Sequence, residues 1–407
     1  MPSNDQLGRV VVVGAGVAGQ MAAQTLRAEG FDGELTLVGA ERHAPYHRPA
    51  LSKKLLTGEV HRAGIDMAPR DEFRARVLRS ATAVGLDMTS RTVHLRDGGH
   101  DRALDFDGLV IASGAVVRQW PGGAPDGVLP LRTVDDCLAI RSKLDRRTRV
   151  VVVGGGFIGT EVAASIRSLG LKVTLLSRAG ALLHSAIGEE MGSCWTDLHR
   201  QHGVDVRVDV KVDGFIGKRH VKAVRLSDGS KVKADLVLIG LGVEPTTDWL
   251  QGSGIKVDSG VICDATGAAE GSTGVVAAGD VARWPNPAFD GEVMRVEHWT
   301  NAAEQGVYVG QRLLHDDATP PAPFAPVPFV WSDQYDRKIQ TVGVVSADAD
   351  LHVAHGSYAE RQFVSLFGRN GRIVGALGFN RPRQVMQYRK LIAERASWEA
   401  ALELAKA

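Results

Sequence analysis

Two groups of three glycines have the spacing that binds the phosphates of a dinucleotide. The pattern Gly-x-Gly-x-x-Gly occurs twice, at Gly14, Gly16 and Gly19 and at Gly154, Gly156 and Gly159. The first glycine permits a tight turn, the second lets a pyrophosphate approach the backbone, and the third lets a helix pack closely on a strand. A helix that begins at the motif adds the partial positive charge of its N-terminus. The sequence therefore predicts two dinucleotide sites, one for a group that stays bound and one for a nucleotide that exchanges.

The residues beyond the two motifs differ in charge. Glu41 lies past the strand that should follow the first motif, where a carboxylate can accept hydrogen bonds from adenosine ribose hydroxyls. Ser177 and Arg178 occupy the corresponding place after the second motif, which has no acid. A guanidinium suits the 2′-phosphate of NADPH, so Arg178 favours NADPH. The alternative, a solvated Arg178 in a protein that uses NADH, stays open.

The elements that must position these residues are repeated along the chain. The sequence VVVVGAGVAG begins at Val10, and VVVVGGGFIG begins at Val150. Each run of four valines predicts a strand that is buried on both faces. The apolar periodicity after it predicts a helix, over 17–29 in the first copy and 157–169 in the second. A further strand follows each helix, so both copies are β-α-β units.

Short apolar runs that end in glycine predict further parallel strands. They stand at 109–114, 236–240 and 275–279. The carboxyl ends of such strands face the ligand crevice of a doubly wound sheet. Pro121 and Pro245 mark the expected crossings between the two folds. The predicted fold class is α/β, with two doubly wound Rossmann-like domains, the second inserted into the first.

A different domain should close the chain. The proline-rich run at 320–328 predicts a stiff, extended connector. Residues 329–379 predict antiparallel strands, and Asn370-Gly371 is the pair that a tight hairpin turn favours. One or two helices are predicted from Pro382 onward, which makes this a small α+β domain.

Composition and cysteine spacing exclude several classes of function. The 48 basic and 47 acidic residues give a formal net charge of +1, which does not indicate binding to nucleic acid or to an anionic membrane. Cys137, Cys194 and Cys263 form no metal-ligand cluster, so neither a metal site nor an iron-sulfur cluster of the chain's own is expected. The apolar run at Val10 is too short for a signal peptide, and no run could span a bilayer. The odd number of cysteines favours a reducing cytoplasm.

Taken together, the motifs resemble the FAD-dependent ferredoxin reductases that serve bacterial oxygenases, within the glutathione-reductase-like flavoprotein superfamily. Besides the glycine motifs, the resemblance rests on PYHRPALSK from Pro45, LVIASG from Leu109, VAAGD from Val276, EHWTNA from Glu297 and VWSDQ from Val330. It spans essentially the whole chain. We therefore expect a discontinuous FAD-binding domain over 1–118 and 246–325, an NAD(P)H-binding domain over 119–245 and the C-terminal domain over 326–407.

The resemblance implies which residues bind FAD. Arg48 and Lys53 would contact the flavin, with Lys53 near the ring nitrogen that receives the hydride and paired with Glu161. Asp280 would bind the ribityl chain. The other residues implied for FAD are Gly14, Gly16, Gly19, Glu41, Ser113, Gly114, Gly279, Glu297, His298 and Trp299. Ser113 stands where the family more often has threonine.

The resemblance also implies a nicotinamide site. Its residues would be Gly154, Gly156, Phe157, Ile158, Gly159, Glu161, Ser177, Arg178 and Gly242. Trp331 would lie beside the nicotinamide, and Glu297 with Trp299 would line the flavin end of the crevice. The expected catalytic residues are therefore Lys53, Glu161, Glu297 and Trp331. A tryptophan in an apolar strand is also a common core residue, so a packing role for Trp331 stays open.

The absence of cysteine from 43–54 bears on the path of the electrons. Disulfide reductases of the superfamily have a cysteine pair near this segment, and a thiol relay needs a thiolate. The resemblance therefore implies that electrons leave the flavin directly for a [2Fe-2S] ferredoxin, which supplies a monooxygenase or a Rieske-type oxygenase. A docking patch for an acidic ferredoxin could be formed by Arg295, Arg337, Lys338, Arg381, Arg383, Arg389 and Lys390.

Two alternatives use the same flavin site. The first is a reductase or oxidase that hands electrons to a quinone, to monodehydroascorbate or to oxygen. The second is a redox-sensing module like apoptosis-inducing factor, in which reduction changes association. Faster turnover with small acceptors than with a ferredoxin would favour the first alternative. Slow turnover coupled to dimerisation on reduction would favour the second.

Overall fold

The computed structural model describes residues 7–67, 74–315, 319–346 and 348–406. These residues form two compact units. Unit 1 consists of the described residues of Met1–His47, Asp66–Val116 and Glu244–Pro328. Unit 2 consists of those of Arg48–Ile65, Val117–Val243 and Phe329–Ala407. The three domain boundaries expected from the sequence stay a prediction.

The strands and helices are numbered in chain order. The strands are β1 (Arg9–Val13), β2 (Glu34–Gly39), β3 (Arg76–Arg79), β4 (Ala81–Asp87), β5 (Thr92–Asp97), β6 (His100–Asp105), β7 (Gly108–Ile111), β8 (Ala115–Val117), β9 (Val128–Pro130), β10 (Arg149–Val153), β11 (Lys172–Leu176), β12 (Asp205–Arg207), β13 (Val212–Ile216), β14 (Ala223–Leu226), β15 (Lys231–Lys233), β16 (Leu236–Ile239), β17 (Val243–Pro245), β18 (Val261–Ile262), β19 (Val275–Ala277), β20 (Ala282–Asn286), β21 (Glu292–Met294), β22 (Phe329–Gln334), β23 (Arg337–Gly343), β24 (Asp350–Ser357), β25 (Gln362–Arg369) and β26 (Arg372–Phe379). The helices are α1 (Val17–Ala28), α2 (Lys54–Thr57), α3 (Val134–Ser142), α4 (Phe157–Ser168), α5 (His184–Ile187), α6 (Glu189–Gln201), α7 (Trp299–Leu314), α8 (Pro382–Ala393) and α9 (Trp398–Lys406). None of the described helices is long and apolar enough to cross a membrane.

Unit 1 is built on a parallel sheet with the strand order β19-β7-β1-β2-β3. The four valines of β1 are buried, as a central strand covered on both faces requires. Helices α1 and α7 pack together on one face of this sheet. Their contact is close because a Cβ on Gly306 of α7 would lie 2.3 Å from the Ala18 carbonyl oxygen of α1. Antiparallel strands β4-β5-β6 and a small sheet β18-β20-β21 complete the unit.

Unit 2 repeats this plan with the parallel order β12-β11-β10-β16-β9. Alternate valines of β10, Val151 and Val153, lie in a core with Val224 and Val232 from an antiparallel sheet of strands β13-β14-β15. The predicted strands and helices of both β-α-β units are confirmed, and each helix ends one residue earlier than predicted. The doubly wound α/β fold is therefore confirmed.

The C-terminal part of unit 2 is an antiparallel sheet with the order β22-β23-β26-β25-β24, followed by α8 and α9. Asn370 and Gly371 both have positive φ, 54° and 71°, at the turn between β25 and β26. This is the geometry of the predicted hairpin turn. The α+β character of the region is confirmed.

The proline-rich connector is anchored to unit 1, a feature that the prediction of a stiff, extended segment did not include. Residues 319–328 contain no regular element, but Phe324 is buried in unit 1. Its ring packs on Trp284 and Tyr308, with ring centroids 5.7 and 5.0 Å away. The Trp284 indole N–H also donates to the Phe324 carbonyl oxygen at 3.3 Å. The segment is therefore anchored by one aromatic side chain and does not act as a free spacer.

Candidate functional site

The first glycine motif leaves open space at the start of α1. A Cβ on Gly14, where φ is +117°, would lie 1.9 Å from the Ala112 carbonyl oxygen. A Cβ on Gly19 would lie 1.9 Å from the Gly14 carbonyl oxygen. At Gly16, by contrast, no atom lies within 4 Å of the position that a Cβ would take. The first and third glycines are thus required by the protein itself, and the second faces a space in which a pyrophosphate fits.

Glu41 lies beyond β2, and its carboxylate is already oriented. It accepts a hydrogen bond from the Tyr46 hydroxyl at 2.6 Å. Sequence reasoning missed Tyr46, although the residue lies in the quoted segment from Pro45. Ser113 and Gly114 follow β7; the Ser113 hydroxyl donates to the Thr246 carbonyl oxygen at 2.7 Å, and Gly114 has a φ of 67°.

A second polar group of unit 1 lies around the end of β19. Gly279 and Asp280 form a 3₁₀ turn, and the Gly279 N–H donates to Gln305 Oε1 at 2.9 Å. Arg295 forms an ion pair with Glu297 at 2.6 Å and donates to the Asp280 carbonyl oxygen at 3.2 Å. Glu297 thus matches the charge of Arg295 within this cluster, and the assignment of Arg295 to a docking patch stays a prediction.

Four buried polar atoms near the start of α7 have no hydrogen-bond partner within the part of the chain that the structure describes. They are His298 Nδ1, Trp299 Nε1, Asn301 Oδ1 and Gln305 Nε2. Buried polar groups are nearly always paired, so these atoms mark a place for the polar groups of a ligand. Burial lowers the pKa of His298 to about 4, which keeps its imidazole neutral near pH 7. These atoms and the open space at Gly16 fit FAD.

The second glycine motif repeats the geometry of the first in unit 2. A Cβ on Gly154 would lie 2.2 Å from the Gly240 carbonyl oxygen, and one on Gly159 would lie 2.0 Å from the Gly154 carbonyl oxygen. Gly156 again has no atom within 4 Å of its Cβ position. The start of α4 therefore offers the same space for a phosphate, which fits a nicotinamide nucleotide.

The other residues predicted for the nucleotide surround this motif along the chain. Phe157 and Ile158 begin α4, and the Ile158 side chain is exposed. Ser177 is buried after β11, whereas Arg178 is exposed. Gly242 has a φ of 83°. The exposed guanidinium is available to a phosphate, and the identity of the nucleotide stays a prediction.

Lys53 and Glu161 form the predicted ion pair. Lys53 Nζ lies 2.6 Å from Glu161 Oε1, and the carboxylate is almost fully buried. Two hydroxyls also donate to the carboxylate, Ser52 Oγ at 2.5 Å and Ser332 Oγ at 2.6 Å. The buried charge is thus matched by one cation and two donors, which is the condition under which a protein interior tolerates a carboxylate.

Arg48 and Lys53 belong to unit 2, unlike the other residues predicted for FAD. Arg48 Nη1 donates to the Arg132 carbonyl oxygen at 2.5 Å. Trp331 is half-buried in β22, and its ring stacks on Phe329 with centroids 5.7 Å apart. These contacts leave open both roles considered for Trp331.

Sequence reasoning missed Ser332 of β22, which donates to Glu161, and Gln334, which donates to Ser332. Ser332 and Gln334 alternate with Trp331 along the strand, and both are fully buried. Polar residues at alternate positions of a strand share one face, so their period of two was the available signal. Ser332 is far in sequence from both Glu161 and the Ser52-Lys53 pair, so no local pattern joins it to the carboxylate.

None of the three thiols takes part in these clusters. Burial raises the pKa of Cys137 to about 11 and that of Cys263 to about 12, and it also raises the pKa of Cys194. The described residues contain no group of three or more His, Cys, Asp or Glu that could hold a metal ion.

Comparisons with known proteins give a consistent result. Residues 8–306 match the family model described as pyridine nucleotide-disulphide oxidoreductase, and residues 329–405 match the model described as reductase C-terminal. The chain is 35% identical to the ferredoxin reductase component of chlorobenzene dioxygenase from Cupriavidus sp. (strain PS12), over 96% of this chain and 94% of the relative. It is 37% identical to the ferredoxin–NAD(+) reductase component of the anthranilate 1,2-dioxygenase system from Burkholderia cepacia, over 94% and 93%.

Solved structures agree with these relatives. The reductase in the covalent putidaredoxin reductase–putidaredoxin complex has a TM-score of 0.89 at 32% identity, covering 97% of this chain and 94% of that chain. The ferredoxin reductase for the CYP199A2 system from Rhodopseudomonas palustris has a TM-score of 0.88 at 32% identity, covering 96% and 95%. The similarity therefore includes the C-terminal sheet as well as the two nucleotide-binding folds.

Proposed function

Because this chain belongs to the pyridine nucleotide-disulphide oxidoreductase family and carries that family's reductase C-terminal domain, we propose that it is a ferredoxin reductase of an oxygenase system. It takes a hydride from NAD(P)H and delivers single electrons to a [2Fe-2S] ferredoxin. Relatives that match nearly the whole chain are ferredoxin reductase components of dioxygenase systems, and one similar solved structure is a complex of a reductase with putidaredoxin. The ferredoxin in turn supplies a monooxygenase or a Rieske-type oxygenase.

The single observation that carries this proposal is the pair of open glycine cradles in a chain with no cysteine in 43–54. Gly16 and Gly156 each face space for a phosphate, so the chain has one cradle for FAD and one for the nicotinamide nucleotide. Bound FAD supplies the conversion of a two-electron hydride donor into single electrons. The Cys137 thiol donates to the Leu51 carbonyl oxygen at 3.3 Å, but burial raises its pKa to about 11 and it forms no disulfide. It therefore offers no thiolate for a relay, and electrons leave for the ferredoxin without a disulfide step.

The residues of the chain position the reactants and supply charge. Lys53 provides a fixed positive charge that favours the negative charge gained with the hydride, and Glu161 holds the ammonium in place. Asp280 and the unpaired atoms at the start of α7 would hold the polar chain of FAD, and Glu41, oriented by Tyr46, would hold its adenosine ribose. His298 stays neutral at working pH, so it adds no charge to this end of the site.

The exposed Arg178 supports NADPH as the preferred donor. No acid stands beside it in Ser177-Arg178 to accept hydrogen bonds from a ribose 2′-hydroxyl, and a guanidinium binds a 2′-phosphate as a planar fork. Arg178→Ala should therefore raise the Kd for NADPH about tenfold and leave that for NADH nearly unchanged. Equal losses for both nucleotides would contradict this preference.

Anaerobic stopped-flow spectroscopy tests the proposal as a whole. The purified protein, loaded with FAD, is mixed with NADPH or NADH, and bleaching of the flavin absorbance gives the rate of hydride transfer. The reduced protein is then mixed with a [2Fe-2S] ferredoxin, a quinone, monodehydroascorbate or oxygen at equal concentration. We expect the ferredoxin to be reduced fastest. Faster reduction of a small acceptor, or slow reduction of all of them with dimerisation of the reduced protein, would contradict the proposed acceptor.

A further inference from the structure

A continuous series of hydrogen bonds, buried as far as His199 and partly buried at Tyr335, extends from Glu161 to Tyr335 in unit 2. Ser332 Oγ donates to Glu161 Oε1 at 2.6 Å, and Gln334 Nε2 lies 3.0 Å from Ser332 Oγ. Gln334 Oε1 lies 2.9 Å from His199 Nε2, and His199 Nδ1 lies 3.0 Å from the Tyr335 hydroxyl. The series joins α4, β22 and α6, so the C-terminal sheet contributes to the surroundings of Glu161.

The carboxylate determines the direction of each bond in the series. An ionised carboxylate only accepts, so the Ser332 hydroxyl must donate to it and its oxygen is left to accept from Gln334. The Thr160 hydroxyl donates to the Phe157 carbonyl oxygen at 2.9 Å, so it too accepts from Gln334 Nε2, at 2.9 Å. Both neighbours therefore require the amide NH₂ of Gln334 on their side.

The rest of the series follows from this orientation of Gln334. Its carbonyl oxygen faces His199, which must donate from Nε2–H and therefore accepts at Nδ1 from the Tyr335 hydroxyl. Burial lowers the pKa of His199 to about 4, which agrees with a neutral ring of one tautomer. The Tyr335 ring stacks on His202 with centroids 3.7 Å apart, which fixes the outer member of the series.

Every donor in the series thus points towards Glu161. Hydrogen bonds in a chain of one direction polarise one another, and hydrogen bonds to a charged acceptor are the stronger ones. The series contains an amide, which does not relay protons readily, so its effect is to orient and polarise. Its end is the carboxylate oxygen that also pairs with Lys53 Nζ at 2.6 Å.

We propose that Ser332, Gln334 and His199 are positioning residues that hold the Glu161 carboxylate aligned with Lys53 during hydride transfer. The inference rests on the proposed function, in which Lys53 supplies charge at the site of reduction. It assigns to the C-terminal sheet a part in the chemistry of the nicotinamide site. The effect of a substitution on flavin reduction should decline along the series, from Ser332 through Gln334 to the Tyr335 hydroxyl.

A double-mutant cycle tests this assignment in the FAD-loaded protein. Ser332→Ala should lower the limiting rate of flavin reduction about tenfold, while the Kd for NAD(P)H changes less than twofold. Ser332→Thr, which keeps the hydroxyl, should restore most of the rate. In a Glu161→Gln background, Ser332→Ala should have almost no additional effect, because the residue that it positions has lost its charge.

The flavin midpoint potential, measured by spectroelectrochemistry, provides a readout that does not depend on turnover. Ser332→Ala should shift it to a more negative value because Lys53 is held less firmly, and Tyr335→Phe should shift it less. Ser365→Ala is the matched control, since Ser365 is also a fully buried serine of the C-terminal sheet but its hydroxyl bonds Tyr358, at 3.2 Å. The control should keep the wild-type potential and rate.

The outcomes separate this inference from the proposed function. If the wild-type flavin is reduced by NAD(P)H but Ser332→Ala and Ser365→Ala give the same potential and rate, the positioning role is wrong and the function stands. Additive losses in the cycle would also overturn the inference, because Ser332 would then act independently of Glu161. A wild-type protein whose flavin is not reduced by either nucleotide would overturn the proposed function.

Discussion

Lys53 carries the charge on which the proposed hydride transfer most directly depends. Lys53→Met removes this charge and keeps an unbranched side chain that is one atom shorter. The rate of flavin reduction should fall about 100-fold, as for the loss of one preorganised group that stabilises developing charge, while FAD stays bound. Stopped-flow absorbance measures the rate, and FAD content measured after gel filtration checks its retention.

The neighbouring Lys54 supplies the matched control for this change. Lys54 is exposed and has the same side chain, so Lys54→Met should leave the rate within twofold of the wild-type value. A similar loss in both variants would indicate a general effect of charge, and an unchanged rate in Lys53→Met would remove the lysine from the site of hydride transfer.

The buried imidazole of His199 should make the stability of the protein depend on pH. Burial disfavours its charged form and lowers its pKa to about 4 in the folded protein, from an ordinary value of 6.5. The unfolded chain therefore binds the proton first as the pH falls. This contribution to stability is fully present above about pH 6.5 and is lost towards pH 4, on the order of 3 kcal/mol in total.

Urea unfolding of the wild-type protein and of His199→Gln between pH 7 and pH 4.5 measures this effect. The variant, which cannot titrate at this position, should lose less stability on acidification. His352→Gln, which changes an exposed histidine of β24 in the same unit, should keep the wild-type pH dependence. Parallel pH dependences for all three proteins would contradict the buried, neutral state of His199.

Sequence reasoning reached one part of this site and missed another. The Lys53–Glu161 pair followed from a resemblance between short motifs, each of which is local. Ser332, Gln334 and His199 were missed because their roles arise from contacts between three elements that are far apart in the chain. A buried hydrogen-bond network has no local periodicity of its own, apart from the alternation of polar residues on β22.

At the scale of the elements, the two glycine cradles provide a matched pair of tests. Gly16 and Gly156 have φ values of −73° and −79°, and neither has an atom near its Cβ position, so alanine fits both sites in the protein alone. Gly16→Ala should fold normally but lose FAD, because the methyl group takes the place of the pyrophosphate. Gly156→Ala should keep FAD and bind NAD(P)H at least tenfold more weakly.

Absorbance at the flavin band and nucleotide titration measure these two losses. Gly19→Ala serves as the contrasting change, because its Cβ would collide with the Gly14 carbonyl oxygen and should impair folding itself. If Gly16→Ala retained FAD at the wild-type level, the first cradle would not be the pyrophosphate site.

Most elements were predictable because their signals are local. Four-valine runs, glycine turns and the Asn370-Gly371 hairpin each encode their conformation in a few residues. The antiparallel strands β4-β5-β6 and β13-β14-β15 were not predicted, since their short alternating segments gave weak patterns. The anchoring of the connector by Phe324 was missed because Trp284 and Tyr308 are distant in sequence. Local chemistry thus predicted the elements, whereas the long-range packing could not be read from it.

At the scale of the whole molecule, acidic and basic residues are nearly equal in number, so the distribution of charge over the surface matters more than its sum. The formal net charge is only +1, so attraction of an acidic ferredoxin requires a local cluster. Of the predicted patch, Lys338 pairs with Asp333 at 2.8 Å, whereas Arg383 is exposed on α8. Lys390 lies two helical turns further along the same face and meets Glu394 only at 3.7 Å.

Charge reversal on α8 tests this surface. The double variant Arg383→Glu and Lys390→Glu should slow ferredoxin reduction at low salt about tenfold, and the difference should shrink at 0.5 M salt. Reduction of a neutral quinone should not change. The control Lys231→Glu reverses one exposed charge on β15. If it also slowed ferredoxin reduction at low salt, net charge and not the α8 surface would be responsible.

The burial of Cys137 and Cys263 affects how readily the protein is oxidised. Peroxide and alkylating agents attack the thiolate, and the high pKa values of Cys137 and Cys263 leave almost none of it at neutral pH. Cys137 and Cys263 are thus both protonated and shielded, so they should resist oxidation for as long as the protein stays folded.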